Sequence, residues 1–278
     1  TRNTFSKHTF LVVCYFMNPV RFSDKSTSHT DKVTIEGGKE LVLVGNAVNA
    51  IPEGSFGDDA NKLLKDSADG GSIDVNNGTF TFGSHGGVTP TVGWILSSNI
   101  GENGALEAKN GEFADWTIAN NGNVHVHSNA ILHTNSLTGN GAAVNEGKLS
   151  LDEKDGTGPT FDVAGSFTNK GGNSVLDASK VEKVTVSGTH INEGQADYKD
   201  MLVAEGGSST NSGTEQGNIL TVEGSHVNTG TSIWNGVTVA DKGKGENAGK
   251  LDVGSVFDVL GEFVNKGAEA VLDATKTA

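Results

Sequence analysis

The feature that most constrains the fold of this chain is a short sequence motif, called the phrase below, that occurs more than once. Residues 161–171 read FDVAGSFTNKG, and residues 257–267 read FDVLGEFVNKG. A common pattern, V-x-G-x-[F/H]-x-N-x-G, begins at Val163, Val186, Val222 and Val259. A single globular core gives no reason for such repetition, whereas a stack of near-identical units requires it.

The spacing of the four copies predicts the size of the unit. They follow one another at intervals of 23, 36 and 37 residues. If each long interval covers two turns, one turn takes about 18 residues, and the 23-residue interval is one turn with an inserted loop. Short alternating apolar segments with this period predict an all-β chain, a parallel β-helix or β-solenoid, with on the order of ten coils.

Each position of the phrase has an expected structural role. Valine points into a narrow core, glycine takes the backbone bend, and asparagine forms a hydrogen-bonded ladder between coils. We therefore expect Val186 inside the solenoid and Lys170 on its surface. The predicted structural repeat residues are Val163, Gly165, Asn169, Val186, Gly188, Asn192, Val222, Gly224, Asn228, Val259, Gly261 and Asn265.

Two parts of the repeats are harder to place. His190 and His226 stand where the other two copies have phenylalanine, which predicts core or corner residues. Alternatively, a change of phase near the glycine turns Ile191 and Val227 inward instead. Residues 206–218, GGSSTNSGTEQGN, are rich in turn formers and predict a loop extruded from a coil.

The chain divides into three zones by composition. Residues 1–32 are irregular and basic, with a net charge of +3, and their apolar run at 10–17 resembles part of a secretory signal. Residues 33–70 predict an N-terminal cap with a short helix over 60–68. Residues 71–278 predict the solenoid repeats.

Charge and cysteine content exclude several partners. The net charge is −14, so the chain repels nucleic acid and anionic lipid. The single cysteine, Cys14, cannot form an intrachain disulfide.

The sequence has few candidate motifs for catalysis or metal binding. The sequence has no GxxxxGK[ST], G-x-S-x-G or HExxH motif, and predicts no catalytic residue, cofactor or metal. His125 and His127 lie two apart, so on a strand they share one face and could reach one metal ion, but an outward polar ladder is the simpler reading. Trp94, Trp116 and Trp234 predict buried filling rather than a carbohydrate platform.

The phrases NNGTF at 76–80, NNGNV at 120–124 and NEGKL at 145–149, together with the four longer copies, resemble the passenger domains of Gram-negative autotransporters. The resemblance covers about residues 70–278. It implies a right-handed parallel β-helix that is secreted or displayed at the outer membrane, and a fragment without the C-terminal barrel through which such proteins meet the membrane.

Two functions follow as expectations. The first is a cell-surface or secreted adhesin module that binds a host glycan or protein, or itself, through extended faces of the solenoid. The alternative is a carbohydrate-active enzyme, a polysaccharide lyase or hydrolase on the same scaffold. A cleft with converging charged residues favours the enzyme, and an even scatter favours adhesion.

Overall fold

The computed structural model describes residues 32–35, 39–44, 72–83, 97–153 and 156–277. These residues form strands and turns without a helix, and the strand pairs are parallel, so the predicted all-β solenoid is confirmed. Within the same ranges there is no apolar helix long enough to cross a bilayer.

Several predictions concern residues outside these ranges. The apolar run at 10–17 and the short helix at 60–68 lie there entirely. The basic segment 1–32 and the cap 33–70 lie there for the most part, so the predicted division into zones stays a prediction.

The chain divides into two compact units, residues 1–133 and residues 134–278. In the first unit, β3 pairs in parallel with three other strands. Along β4, buried Leu106 and Ala108 flank a half-buried Glu107, the alternation expected of a strand with one inward face. The strands are β1 (Lys32–Ile35), β2 (Lys39–Val44), β3 (Ser72–Gly83), β4 (Ser97–Asn120) and β5 (Asn123–Thr138), whose end belongs to the second unit.

The second unit is built from coils with three faces, and its strands are numbered in chain order. Face A stacks seven strands in register. They are β6 (Ala142–Asn145), β9 (Ser166–Asn169), β12 (Thr189–Asn192), β15 (Ser208–Asn211), β17 (Ser225–Asn228), β19 (Lys244–Asn247) and β21 (Glu262–Asn265).

Faces B and C complete each coil, and three long strands contribute to both of them. Face B holds β7 (Lys148–Leu151), β10 (Val175–Ala178), β13 (Gln195–Tyr198), β22 (Val271–Asp273) and the first parts of β16 (Thr214–Val222), β18 (Thr231–Val239) and β20 (Lys250–Val259). Face C holds the second parts of those three, with β8 (Thr160–Val163), β11 (Val184–Val186), β14 (Asp200–Val203) and the end of β5.

The predicted loop at 206–218 is wrong. Ser208–Asn211 forms β15, and β16 begins at Thr214, so this segment makes regular rungs of faces A and B. Its serines, threonines and asparagines are typical of loops. Parallel pairing with the coils on both sides nevertheless satisfies its backbone, and a glycine-rich turn at 206–207 absorbs the change of direction.

Candidate functional site

The valines that begin the four phrases lie on one column of face C, where Val163, Val186 and Val222 are buried as predicted and Val259 is exposed. Val186 is completely buried, whereas Lys170 is exposed. The two long intervals each skip one member of the column, because two coils lack the recognisable phrase. The column runs Val163, Val186, Val203, Val222, Val239 and Val259.

The asparagines form a ladder of side-chain amides along face A. The Nδ2 of every asparagine except the last, Asn265, donates to the Oδ1 of the asparagine one coil further on, at 2.7–2.8 Å. The same Nδ2 also donates to a backbone carbonyl of face B, as Asn192 does to Thr214 O at 2.9 Å. The asparagine ladder consists of Asn145, Asn169, Asn192, Asn211, Asn228, Asn247 and Asn265.

The phrase glycines are required by close packing between coils. A Cβ on Gly188 would lie 2.0 Å from Gly165 O, and one on Gly165 would lie 2.1 Å from Gly141 O. The expected reason, a bend with positive φ, instead applies to Gly171 at the end of the first phrase, with φ of 82°.

The histidines of the phrase face inward. His190 lies in register with Phe167 and is completely buried, and His226 is also buried. Ile191 and Val227 point outward and are half-buried, so the alternative with a change of phase is wrong. The strand keeps its phase because Asn192 and Asn228 must stay in the ladder, and they lie two residues after the histidines.

Partners for these histidines come from face B and from the next coil of face A, and together they form a buried polar cluster. Tyr198 Oη lies 2.9 Å from His190 Nε2, and Ser209 Oγ lies 3.3 Å from His190 Nδ1. A neutral His190 satisfies both contacts if the tyrosine hydroxyl donates to Nε2 and Nδ1–H donates to the serine.

The second half of the buried polar cluster centres on Glu215. Ser232 Oγ donates to Glu215 Oε1 at 2.7 Å, and Trp234 Nε1 donates to that serine at 2.8 Å. His226 Nε2 lies 3.2 Å from Glu215 Oε1, within ion-pair distance but not aligned for a hydrogen bond. Glu215 Oε2 and His226 Nδ1 have no hydrogen-bond partner in the described part of the chain.

Burial controls protonation in this cluster. It lowers the pKa of His190 from 6.5 to about 4, against the opposing effect of Glu215. It also raises the pKa of Tyr198 well above its ordinary value. For Glu215, burial alone would raise the pKa, but His226 and Ser232 together outweigh it and hold the pKa below its ordinary value. Because its members are enclosed in the core, the cluster affects stability and cannot reach an external substrate.

Trp234 fills the core beside this cluster. Its ring stacks on Tyr198 at a centroid distance of 5.8 Å, although the two residues are two coils apart. Gly217 lies between them, and a Cβ there would lie 2.4 Å from the Trp234 ring. Trp234 is thus buried filling, as predicted. Trp94 lies outside the described residues, and for Trp116 the structure describes the backbone alone, so the prediction for these two stays a prediction.

A column of hydroxyl side chains follows the outside of face A. Its members stand in register on consecutive coils and are exposed or half-buried. This hydroxyl column consists of Ser166, Thr189, Ser208 and Ser225. A second outward column, two residues further along each strand, consists of Thr168, Ile191, Thr210 and Val227.

Surface charges of the second unit are distributed in pairs between coils. Lys170 Nζ lies 2.8 Å from Glu146, Lys180 Nζ lies 2.7 Å from Asp152, and Lys266 Nζ lies 2.9 Å from Glu246. Water screens such exposed pairs, so they contribute little to stability. On face B the register also stacks Asp177 on Asp197 and Asp252 on Asp273.

A separate group of side chains lies in the first unit. Glu107 of β4 and two histidines of β5 place one potential ligand atom each within 4.8 Å of one another. Glu107 Oε2 lies 2.5 Å from His127 Nε2 and 3.6 Å from His125 Nδ1. The imidazole rings stack at a centroid distance of 3.8 Å. His125 and His127 share a face, as the sequence predicts, and Glu107 is the carboxylate that sequence reasoning missed.

No family model, curated protein or solved structure matches this chain.

Proposed function

We propose that this chain is a structural and adhesive module, the passenger part of an autotransporter-like protein that is secreted or displayed on a bacterial surface. The observation that carries this proposal is the hydroxyl column of face A, which repeats one chemical group on four consecutive coils. The passenger assignment rests on the resemblance of the repeated phrases, and the β-solenoid fold is compatible with it.

The hydroxyl column suits binding by many weak contacts. Its hydroxyl groups follow the spacing of parallel strands, about 4.8 Å, and each can donate and accept a hydrogen bond. The neighbouring β-branched column adds half-buried apolar area beside them. Individually weak contacts on a rigid support add up through effective concentration, so a glycan chain, a host protein or a second copy of this chain could bind along the face.

The experiment is display of the chain on bacteria by fusion to a membrane barrel, followed by assays of aggregation and of attachment to host cells. The test variant is Thr189→Lys with Ser208→Lys on face A. The matched control is Thr185→Lys with Thr221→Lys, two outward threonines of face C.

We expect display to promote aggregation or attachment, and the face A variant to lose it while the face C control keeps it. Aggregation without attachment would identify a second copy as the partner. The proposal fails if display promotes neither, or if both variants lose the effect equally.

The alternative, a carbohydrate-active enzyme, has one observation in its favour. Asp177 and Asp197 face each other on adjacent coils, and two carboxyl groups about 5–9 Å apart are what glycoside hydrolysis requires. Asp197 also accepts hydrogen bonds from Gln195 and Gln216, so it is already engaged by its neighbours. Release of sugars from polysaccharides by the purified chain, abolished by Asp177→Asn, would favour the enzyme over the adhesin.

A further inference from the structure

We propose that Glu107, His125 and His127 bind a divalent transition-metal ion of the zinc type on the outward face of the first unit. This inference is independent of the adhesive function.

The ligand atoms already lie near the separations that such an ion needs. Zinc binds imidazole nitrogen and carboxylate oxygen at about 2.0–2.2 Å, so two ligands of a tetrahedral ion lie about 3.3 Å apart. The distance from Glu107 Oε2 to His125 Nδ1 is 3.6 Å, and that to His127 Nε2 is 2.5 Å. The second contact has to lengthen by somewhat less than 1 Å when the ion replaces the proton between them.

The backbone fixes the direction of all three side chains. Val126 is buried between the two histidines, so both histidines point outward from the same strand. Leu106 and Ala108 are buried on either side of Glu107, which points outward for the same reason. Glu107 precedes His127 by 20 residues, close to the length of one coil.

The donor set identifies the class of ion. Two imidazoles and a carboxylate suit zinc and its first-row neighbours, whereas calcium and magnesium prefer sites made of oxygen alone. The three side chains are 23–33 % exposed, so solvent can supply a fourth ligand. Three protein ligands with one open position also leave room for a donor from another molecule.

The test is titration of the chelator-stripped full chain with ZnCl₂ in competition with a chromogenic chelator, and with CoCl₂ to record its visible absorption. We expect one saturable equivalent per chain. Glu107→Gln and His127→Ala should each weaken binding at least tenfold, and the matched surface variant Glu223→Gln should leave it unchanged. Far-UV circular dichroism checks that each variant is folded.

If either variant fails to fold, the wild-type chain decides the question by NMR. Zinc should then shift the imidazole resonances of two of the eight histidines and leave the others in place. The proposal is overturned if uptake does not saturate, if all the histidines respond alike, or if both folded variants bind as the wild type does.

Discussion

The asparagine ladder predicts a difference between its middle and its end. Asn192→Ala removes three hydrogen bonds, one accepted from Asn169 and two donated to Asn211 and Thr214. All the asparagines involved are buried. Asn265→Ala makes the same substitution on the same column, but Asn265 is exposed and accepts one ladder bond, from Asn247.

The magnitudes follow from the number of bonds and from burial. A buried hydrogen bond contributes about 1 kcal/mol net, and an acceptor left unpaired in the core adds a desolvation cost. Asn192→Ala should therefore lower the free energy of unfolding by about 3–4 kcal/mol. Asn265→Ala should lower it by about 0.5–1 kcal/mol, because water can replace the lost donor.

Urea unfolding followed by far-UV circular dichroism measures both variants. Stacked coils can unfold in parts, so hydrogen exchange at face A amides is needed to locate the loss around β12. Equal destabilisation by the two substitutions would refute the claim that the amides form one continuous buried ladder.

Three further predictions concern the core. Val186→Asp places an unpaired charge in it and should cost several kcal/mol in urea unfolding, whereas Ser187→Asp, one residue away on the surface, should cost under about 0.5 kcal/mol; equal costs would contradict the inward column. Gly217→Ala should cost about 1–3 kcal/mol by overpacking against Trp234, and combining it with Trp234→Leu should recover part of that loss, which a double-mutant cycle measures. His190 stays neutral in the folded state, whereas in the unfolded chain it binds a proton below pH 6.5. The free energy of unfolding should therefore fall by about 3 kcal/mol as the pH is lowered from 6.5 to 4. His190→Phe should flatten this pH dependence, and an unchanged dependence would exclude His190 as its source.

The sequence predicts the fold well where the phrase is intact. Val163 and Val186 stack directly, and their spacing identifies one coil. The coils beginning at Val203 and Val239 do not match the pattern for two reasons. Two extra residues separate each valine from its turn glycine, in VAEGG and VADKG, and Ser209 and Gly245 stand where the pattern has phenylalanine or histidine. The alternation of side chains survives this insertion, since the turn absorbs it before the next strand begins.

The candidate sites are harder to predict because their members come from different coils or from different faces of one coil. No sequence pattern near Glu107 indicates that it lies beside His125 and His127. The first unit has no regular repeat, so the length of its coils cannot be derived from the sequence. His190 and Tyr198 are only eight residues apart on one coil, yet no sequence pattern indicates their contact, because it joins two faces across the core. Contacts between coils depend on the register in which their strands pair. Turns of variable length prevent this register from being derived from the sequence alone.

The amides of the asparagine ladder all point the same way, and this gives the second unit a chemical direction. Every bond runs from an earlier NH₂ to a later oxygen, so Asn145 Oδ1 is left without a donor while the amide hydrogens of Asn265 face outward at the other end. The two ends are therefore unlike, because the Asn145 oxygen is enclosed in the core whereas the exposed Asn265 amide offers hydrogen-bond donors. Within the described part of the chain, a molecule that meets this column from outside can therefore pair with it only at the Asn265 end, and there it has to accept hydrogen bonds.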